Sequence, residues 1–289
     1  MLLIIHAGLH KTASTYLQNV LRLNRAALRA GGIYYELDAM LPANHGTAWM
    51  ALLGDHRHAE AHVRQAVLAE CRAMILSSED FEGLIFDPAR AAALETLVRG
   101  AGATQIEWHF CLRDPGDYLE SMYAQLSRHN FVDYASMAML TLRDGRFRLD
   151  RNAKSYPRAW EFCFDHGTHL RAFAKGVSGS VVVHDFADAD PFPAHGVLER
   201  LGALNLITTL PGPGARNPRE PAGAIAANLL TRIDELVASS GLTPGLVAAL
   251  KSAANVSPAL QKETAAAVSA KFRPGMEALL AAKVLKGGT

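Results

Sequence analysis

The chain has 289 residues, with 29 Lys plus Arg against 28 Asp plus Glu, a formal net charge of +1, and 49% hydrophobic against 20% charged residues. These values exclude a disordered or collagen-like chain and provide for a sizeable buried core. Near-neutral charge argues against a protein that coats nucleic acid or an anionic membrane, because such partners need a broad basic field.

The opening Met1-Leu-Leu-Ile-Ile-His6 has no basic flank, and its apolar run is too short for a signal-peptide core. No apolar run is long enough to span a membrane. Cys71, Cys111 and Cys163 are odd in number and form no CxxC or zinc-spaced cluster, which predicts reduced thiols in a cytoplasmic protein and no metal site.

The first predicted strand covers Leu2 to Ala7. A helix follows, with Leu17, Val20, Leu21 and Leu28 on one face, and Gly31-Gly32 stops it. Ile33 to Tyr35 reads as a strand, 36–55 as a loop with a short helix, and 56–72 as a helix. Met74 to Ser78 reads as a strand. Asp87-Pro88 pairs an N-cap with proline at the first helical position and predicts a helix to about Gly100. Gln105 to Leu112 is the next predicted strand, and Asp114-Pro115 repeats the cap signal before a helix carrying Leu119, Met122, Tyr123 and Leu126. Two later strands are predicted near His169–Phe173 and Ser180–His184.

This alternation predicts an α/β fold with a doubly wound parallel sheet flanked by helices. After a Pro/Gly-rich break at 209–221, the Ala-rich remainder reads as helical, with turns near Gly241, Pro244 and Pro274. The expected organisation is one domain over 1–289, with 222–289 a helical C-terminal extension packed on it.

The turn after the first strand reads His6-Ala-Gly8-Leu-His10-Lys11-Thr12-Ala13-Ser14-Thr15-Tyr16. A helix N-terminus offers free N–H groups and the positive end of the helix dipole. One lysine and three hydroxyls added there make an oxyanion cradle. It is not a Walker A loop, because no glycine precedes the lysine and only two residues separate Gly8 from Lys11. A second candidate anion site is Arg113, at a strand end before the Asp-Pro turn, with Ser121 eight residues on.

Gly8-Leu-His-Lys-Thr-Ala-Ser-Thr-Tyr-Leu-Gln18 resembles the pattern G-L-H-K-T-G-T-T-x-L-Q of bacterial sulfotransferases, and Arg113-Asp-Pro through Ser121-Met-Tyr123 resembles the family's R-[DN]-P-x-D-x-x-x-S-x-Y. Ala13 replaces the family's central glycine, and Ser14 its first threonine. Weaker agreement covers Met74–Glu79, Val181–Phe186 and Asn217-Pro-Arg-Glu.

The resemblance implies a P-loop-hydrolase-like fold. It also implies transfer of a sulfuryl group from 3′-phosphoadenosine 5′-phosphosulfate (PAPS) to an acceptor hydroxyl or amine, without metal, leaving adenosine 3′,5′-bisphosphate (PAP). Lys11 would stabilise the leaving oxygen. Thr12, Ala13, Ser14 and Thr15 would hold the 5′ groups, Tyr16 would meet adenine, and Arg113 and Ser121 would bind the 3′-phosphate. Glu79, then His45, are the candidate general bases; His10 is read as positioning the lysine. Arg216, Arg219 and Arg273 are candidates for a third basic group over the donor.

The acceptor is a small molecule or glycan. Arg143, Arg146, Arg148, Arg151 and Lys154 cluster where it would bind, and read either as an anion contact or as a solvated charged face. The rival functions are a P-loop-type small-molecule kinase and a catalytically inactive nucleotide-binding module.

Overall fold

The computed structural model describes the chain except residues 39–40, 42, 129–131, 152–158, 213–226, 228–229, 232, 236–242, 255–256 and 289. Its core is a six-stranded sheet of order β2-β3-β1-β4-β7-β8, built from β1 (Leu2–His6), β2 (Ile33–Tyr34), β3 (Ala73–Ser77), β4 (Gln105–Leu112), β7 (Ser180–Asp185) and β8 (Val284–Leu285). All neighbours pair in parallel except β7 with β8. β1 is central, with His6 opposite Ser77 on one side and His109 on the other.

Both faces of this sheet are apolar, because successive strand residues point to opposite sides. Leu3 and Ile5 enter one core with Met74, Leu76, Trp108 and Phe110. Ile4 enters the other with Ile75 and Cys111. Helices cover both. On the Ile4 face lie α1 (Ser14–Leu23), α2 (Arg25–Ala30) and α9 (Gly196–Arg200), through Leu17, Val20, Leu21, Leu28, Val197 and Leu198.

The other face takes α4 (Arg57–Leu68), α5 (Pro88–Gly100), α6 (Pro115–Leu126) and α8 (His166–Gly176). It also takes α7 (Tyr134–Asp144) and α11 (Pro258–Ala282), while α3 (His45–Leu52) packs on a 3-10 helix, Glu79–Phe86. A separate antiparallel hairpin joins β5 (Arg146–Asp150) to β6 (Ala159–Cys163). α10 (Pro244–Ala254) precedes α11.

The aspartate caps behave as their chemistry requires. Asp87 accepts from the Arg90 N–H, and Asp114 accepts from those of Gly116 and Asp117. Two expectations are corrected. Residues 169–173 are not a strand but part of α8, which Asp165 caps and which buries Leu170, Phe173 and Ala174 at helical spacing. Pro274 marks no turn, for it lies inside α11. Ala270, whose carbonyl a proline at 274 leaves without its helical donor, is exposed to water there, and Phe272 and Met276 hold the helix on either side. The β5–β6 hairpin and α7 were not among the expected elements.

Candidate functional site

The chain leaves β1 toward α1 on one face of the sheet and leaves β4 toward α6 on the other. Loops that diverge in this way open a crevice at the carboxyl ends of the strands. A cleft of about 540 Å³ lies there.

Residues 7–13 make one wall. Gly8 has φ +91°, and a Cβ on it would lie 3.1 Å from the Cα of Glu79, so only glycine lets the loop cross the end of β3. Lys11 and Ala13 also take left-handed conformations, at φ +57° and +65°. Such curled backbone gathers N–H groups into a concave surface. The hydroxyls of Thr12 and Ser14 both donate to the Leu9 carbonyl, at 2.6 and 3.3 Å, and brace the turn from inside. Ala13 is the N-cap of α1. No side chain caps this helix and no acidic residue stands in its first turn, whereas aspartates cap α5, α6, α7 and α8. An anion is the complementary partner for such an end.

Lys11, Ala13, Ser14, Thr15 and Tyr16 line the cleft; Thr12 does not and is fully buried. Arg113 and Ser121 line it from β4 and α6. Arg113 donates to the Lys11 carbonyl at 3.2 Å and packs its guanidinium 5.1 Å from the Phe186 ring centroid. The two sequence motifs therefore meet in one site. The far wall is Phe186, Pro191, Phe192 and Pro193, with the Tyr16 ring 6.2 Å from that of Phe192.

The candidate bases separate. Glu79 lines the cleft and accepts from Gln18 Nε2 at 2.9 Å. His45 does not line it. Its Nδ1 lies 2.8 Å from Ser78 Oγ and 2.9 Å from Asp80 Oδ2, and its ring stacks on Trp49. Burial works against charge on this imidazole, but the hydrogen bond to Asp80 and the nearby Glu79 carboxylate together outweigh it and raise the pKa, which disfavours a role as base.

His10 carries more than the sequence indicated. Its ring donates to Glu82 Oε2 at 2.7 Å and faces Asp80 Oδ1 at 3.4 Å. Glu82 is fully buried and also accepts from the His10 N–H, the Tyr118 hydroxyl and the Cys163 N–H. Burial opposes a charge on His10, yet hydrogen bonds to Asp80 and Glu82 win and push its pKa up to about 10. The cleft therefore has an imidazolium beside Lys11.

Arg273 lies outside the cleft and binds Asp114 through Nε at 2.8 Å and Nη2 at 2.7 Å. Arg216, Arg219 and the Asn217-Pro-Arg-Glu segment lie outside the described residues.

Sequence reasoning missed Gln125, although its place one turn after Ser121 on α6 puts it on the same face. It also missed the wall at 191–193, signalled by Asp190-Pro-Phe-Pro193 in the loop that follows β7. Among the described residues, no group of His, Cys, Asp or Glu is arranged to hold a metal ion, and no helix is long and apolar enough to cross a membrane. The chain matches no family model, no curated protein and no solved structure.

Proposed function

We propose that the chain is a sulfotransferase that moves a sulfuryl group from PAPS to an acceptor hydroxyl or amine. The observation that carries this reading is the meeting of the Lys11 loop and the Arg113–Ser121 segment in one cleft at the divergence of β1 and β4. Two cationic groups, one from the β1–α1 loop and one from the β4–α6 turn, together with the Ser121 hydroxyl in the same cleft, suit one nucleotide with phosphates at both its 5′ and 3′ positions. The strand order and the β1–α1 loop support a P-loop-like arrangement.

Sulfuryl transfer resembles phosphoryl transfer in relying on position and electrostatics. Lys11 and the uncapped start of α1 stabilise negative charge as it grows on the leaving phosphate oxygen. Ser14 and Thr15 orient the 5′ groups, and Arg113, Ser121 and Gln125 hold the 3′-phosphate. Tyr16, Phe186 and Phe192 offer faces to adenine. Glu79 takes the acceptor's proton. No step of this reading uses a metal, and three buried free cysteines suit a reducing compartment such as the cytoplasm.

Titration with PAP in the presence of chelator, against ATP with magnesium, tests the donor. Tight PAP binding without metal is expected; preference for ATP–magnesium would replace this reading with a kinase. Labelled sulfate transfer from PAPS across phenols, alcohols, amines and glycans tests the reaction, and PAP binding without any transfer would mark an inactive nucleotide-binding module.

A further inference from the structure

A second cavity, of about 480 Å³, shares His10 with the donor cleft as a common lining residue. Asp80, Arg90, Arg146, Arg148, Trp160 and Glu161 are among its other lining residues. Arg146 and Arg148 alternate along β5 and so project from one face of the hairpin. Both reach toward a single carboxylate oxygen of Glu161, at 3.7 and 3.9 Å, beyond hydrogen-bond distance. Burial pushes the Glu161 carboxyl above its ordinary range, which weakens it further as a counterion. Arg148 has a hydrogen bond to exposed Asp150, and Arg146 stands 5.4 Å from the Phe86 ring centroid. Arg90 is engaged elsewhere, by Asp87 and the Leu52 carbonyl. Among the described residues the hairpin thus presents two guanidiniums with donors to spare, lining a cavity that shares His10 with the donor cleft.

We propose that this cavity is the acceptor site, and that it selects an alcohol which also carries an acid group, held by Arg146 and Arg148 while its hydroxyl reaches past His10 toward the donor. The inference rests on the sulfotransferase reading. In the transfer, the acceptor oxygen forms a bond to sulfur as the bond from sulfur to the 5′-phosphate oxygen breaks. The electron pair stays on that phosphate oxygen, and the acceptor proton passes to Glu79. Guanidinium pairs meet carboxylate and sulfate with the same forked geometry, so both sources of the acid group belong in the test.

The probes are para-nitrophenyl β-glucuronide, the matching β-glucoside, and that glucoside sulfated on its primary hydroxyl, titrated into the full chain with and without PAP. At least one acidic probe is expected to bind roughly 10-fold tighter than the neutral glucoside. That advantage should disappear in Arg146→Gln and Arg148→Gln combined, and persist in Arg143→Gln, whose arginine is paired with Asp144 on the surface. PAP affinity should stay unchanged in all these variants, which also checks that they fold. Which acidic probe wins distinguishes carboxylate from sulfate. Equal binding of neutral and acidic probes, or an acidic preference that survives both substitutions, overturns the proposal. PAP binding with equal probes strikes only the acid-bearing acceptor, whereas a guanidinium-dependent preference without PAP binding supports the anion site and strikes the donor reading.

Discussion

One oxygen of Glu82 accepts both the backbone N–H and the imidazole Nδ1 of His10, at 3.0 and 2.7 Å, across 72 residues of sequence. A buried carboxylate beneath the sheet's edge thereby fixes both the path of the Lys11 loop and the charge of its neighbour. His10 has a folded pKa of about 10 against an ordinary 6.5. Its contribution to stability is complete below 6.5 and is lost as pH rises through about 10. Urea midpoints should therefore fall between those limits, and His10→Gln should flatten that limb. Glu82→Ala should cost about 3 kcal/mol or more, because it leaves a buried imidazolium with one partner fewer.

The acid limb has a different origin. His6 and His184 are held down to about 3, chiefly by burial and then by neighbouring His109. His109 is itself lowered by burial despite Glu107. The unfolded chain takes up protons below 6.5 that these folded rings refuse, so stability should decline as pH falls from 6.5 toward 3. His6→Asn should shift the acid-unfolding midpoint to lower pH, as followed by circular dichroism. An unchanged midpoint would show that other groups govern the limb.

Ala13 adopts φ +65° and ψ +21°, a conformation glycine takes at no steric penalty. Ala13→Gly should relieve strain and, after the entropy glycine adds to the unfolded chain, change stability by no more than about 1 kcal/mol. PAP affinity should hold or improve, since removal of the Cβ from the cleft wall opens the backbone to an anion. Calorimetric titration reads both, and a large loss of PAP affinity would contradict this placement of Ala13.

Glu79 and His45 differ in position, and their variants should differ in kind. Glu79→Gln can still accept from Gln18 but cannot take a proton, so turnover should fall by roughly 100-fold or more with PAP affinity retained. His45→Ala should lower thermal stability by removing a partner of buried Asp80, with turnover affected far less. The reverse pattern would reassign the base.

Much of this was legible because it is local. The Lys11 loop, the Asp-Pro caps and the alternation of strand and helix are written within a few residues of where they act. His169–Phe173 misled because a short apolar run has no period of its own, and the deciding signal, Asp165 as cap with Leu170, Phe173 and Ala174 on one face, spans the whole helix. The hairpin escaped notice because its strands are charged outward and take their register from each other. The His10–Glu82 pair was not legible at all. It joins residues far apart in sequence, and only the fold reveals that a histidine beside the lysine is buried among carboxylates.

Asp114, which caps the turn after Arg113, is held by Ser269 and by Arg273 across 155 and 159 residues. At Gly116 a Cβ would come within 2.1 Å of the Ala265 carbonyl, so α11 rests directly on that turn. The helix that the sequence marks only as part of a C-terminal extension packed on the domain is thus a late-arriving clamp. During synthesis the Lys11 loop and Arg113 leave the ribosome long before their clamp exists. A nascent chain stalled ahead of α11 should carry both motifs and still lack a rigid cleft, so the capacity to grip an anion would appear late and abruptly rather than growing with chain length.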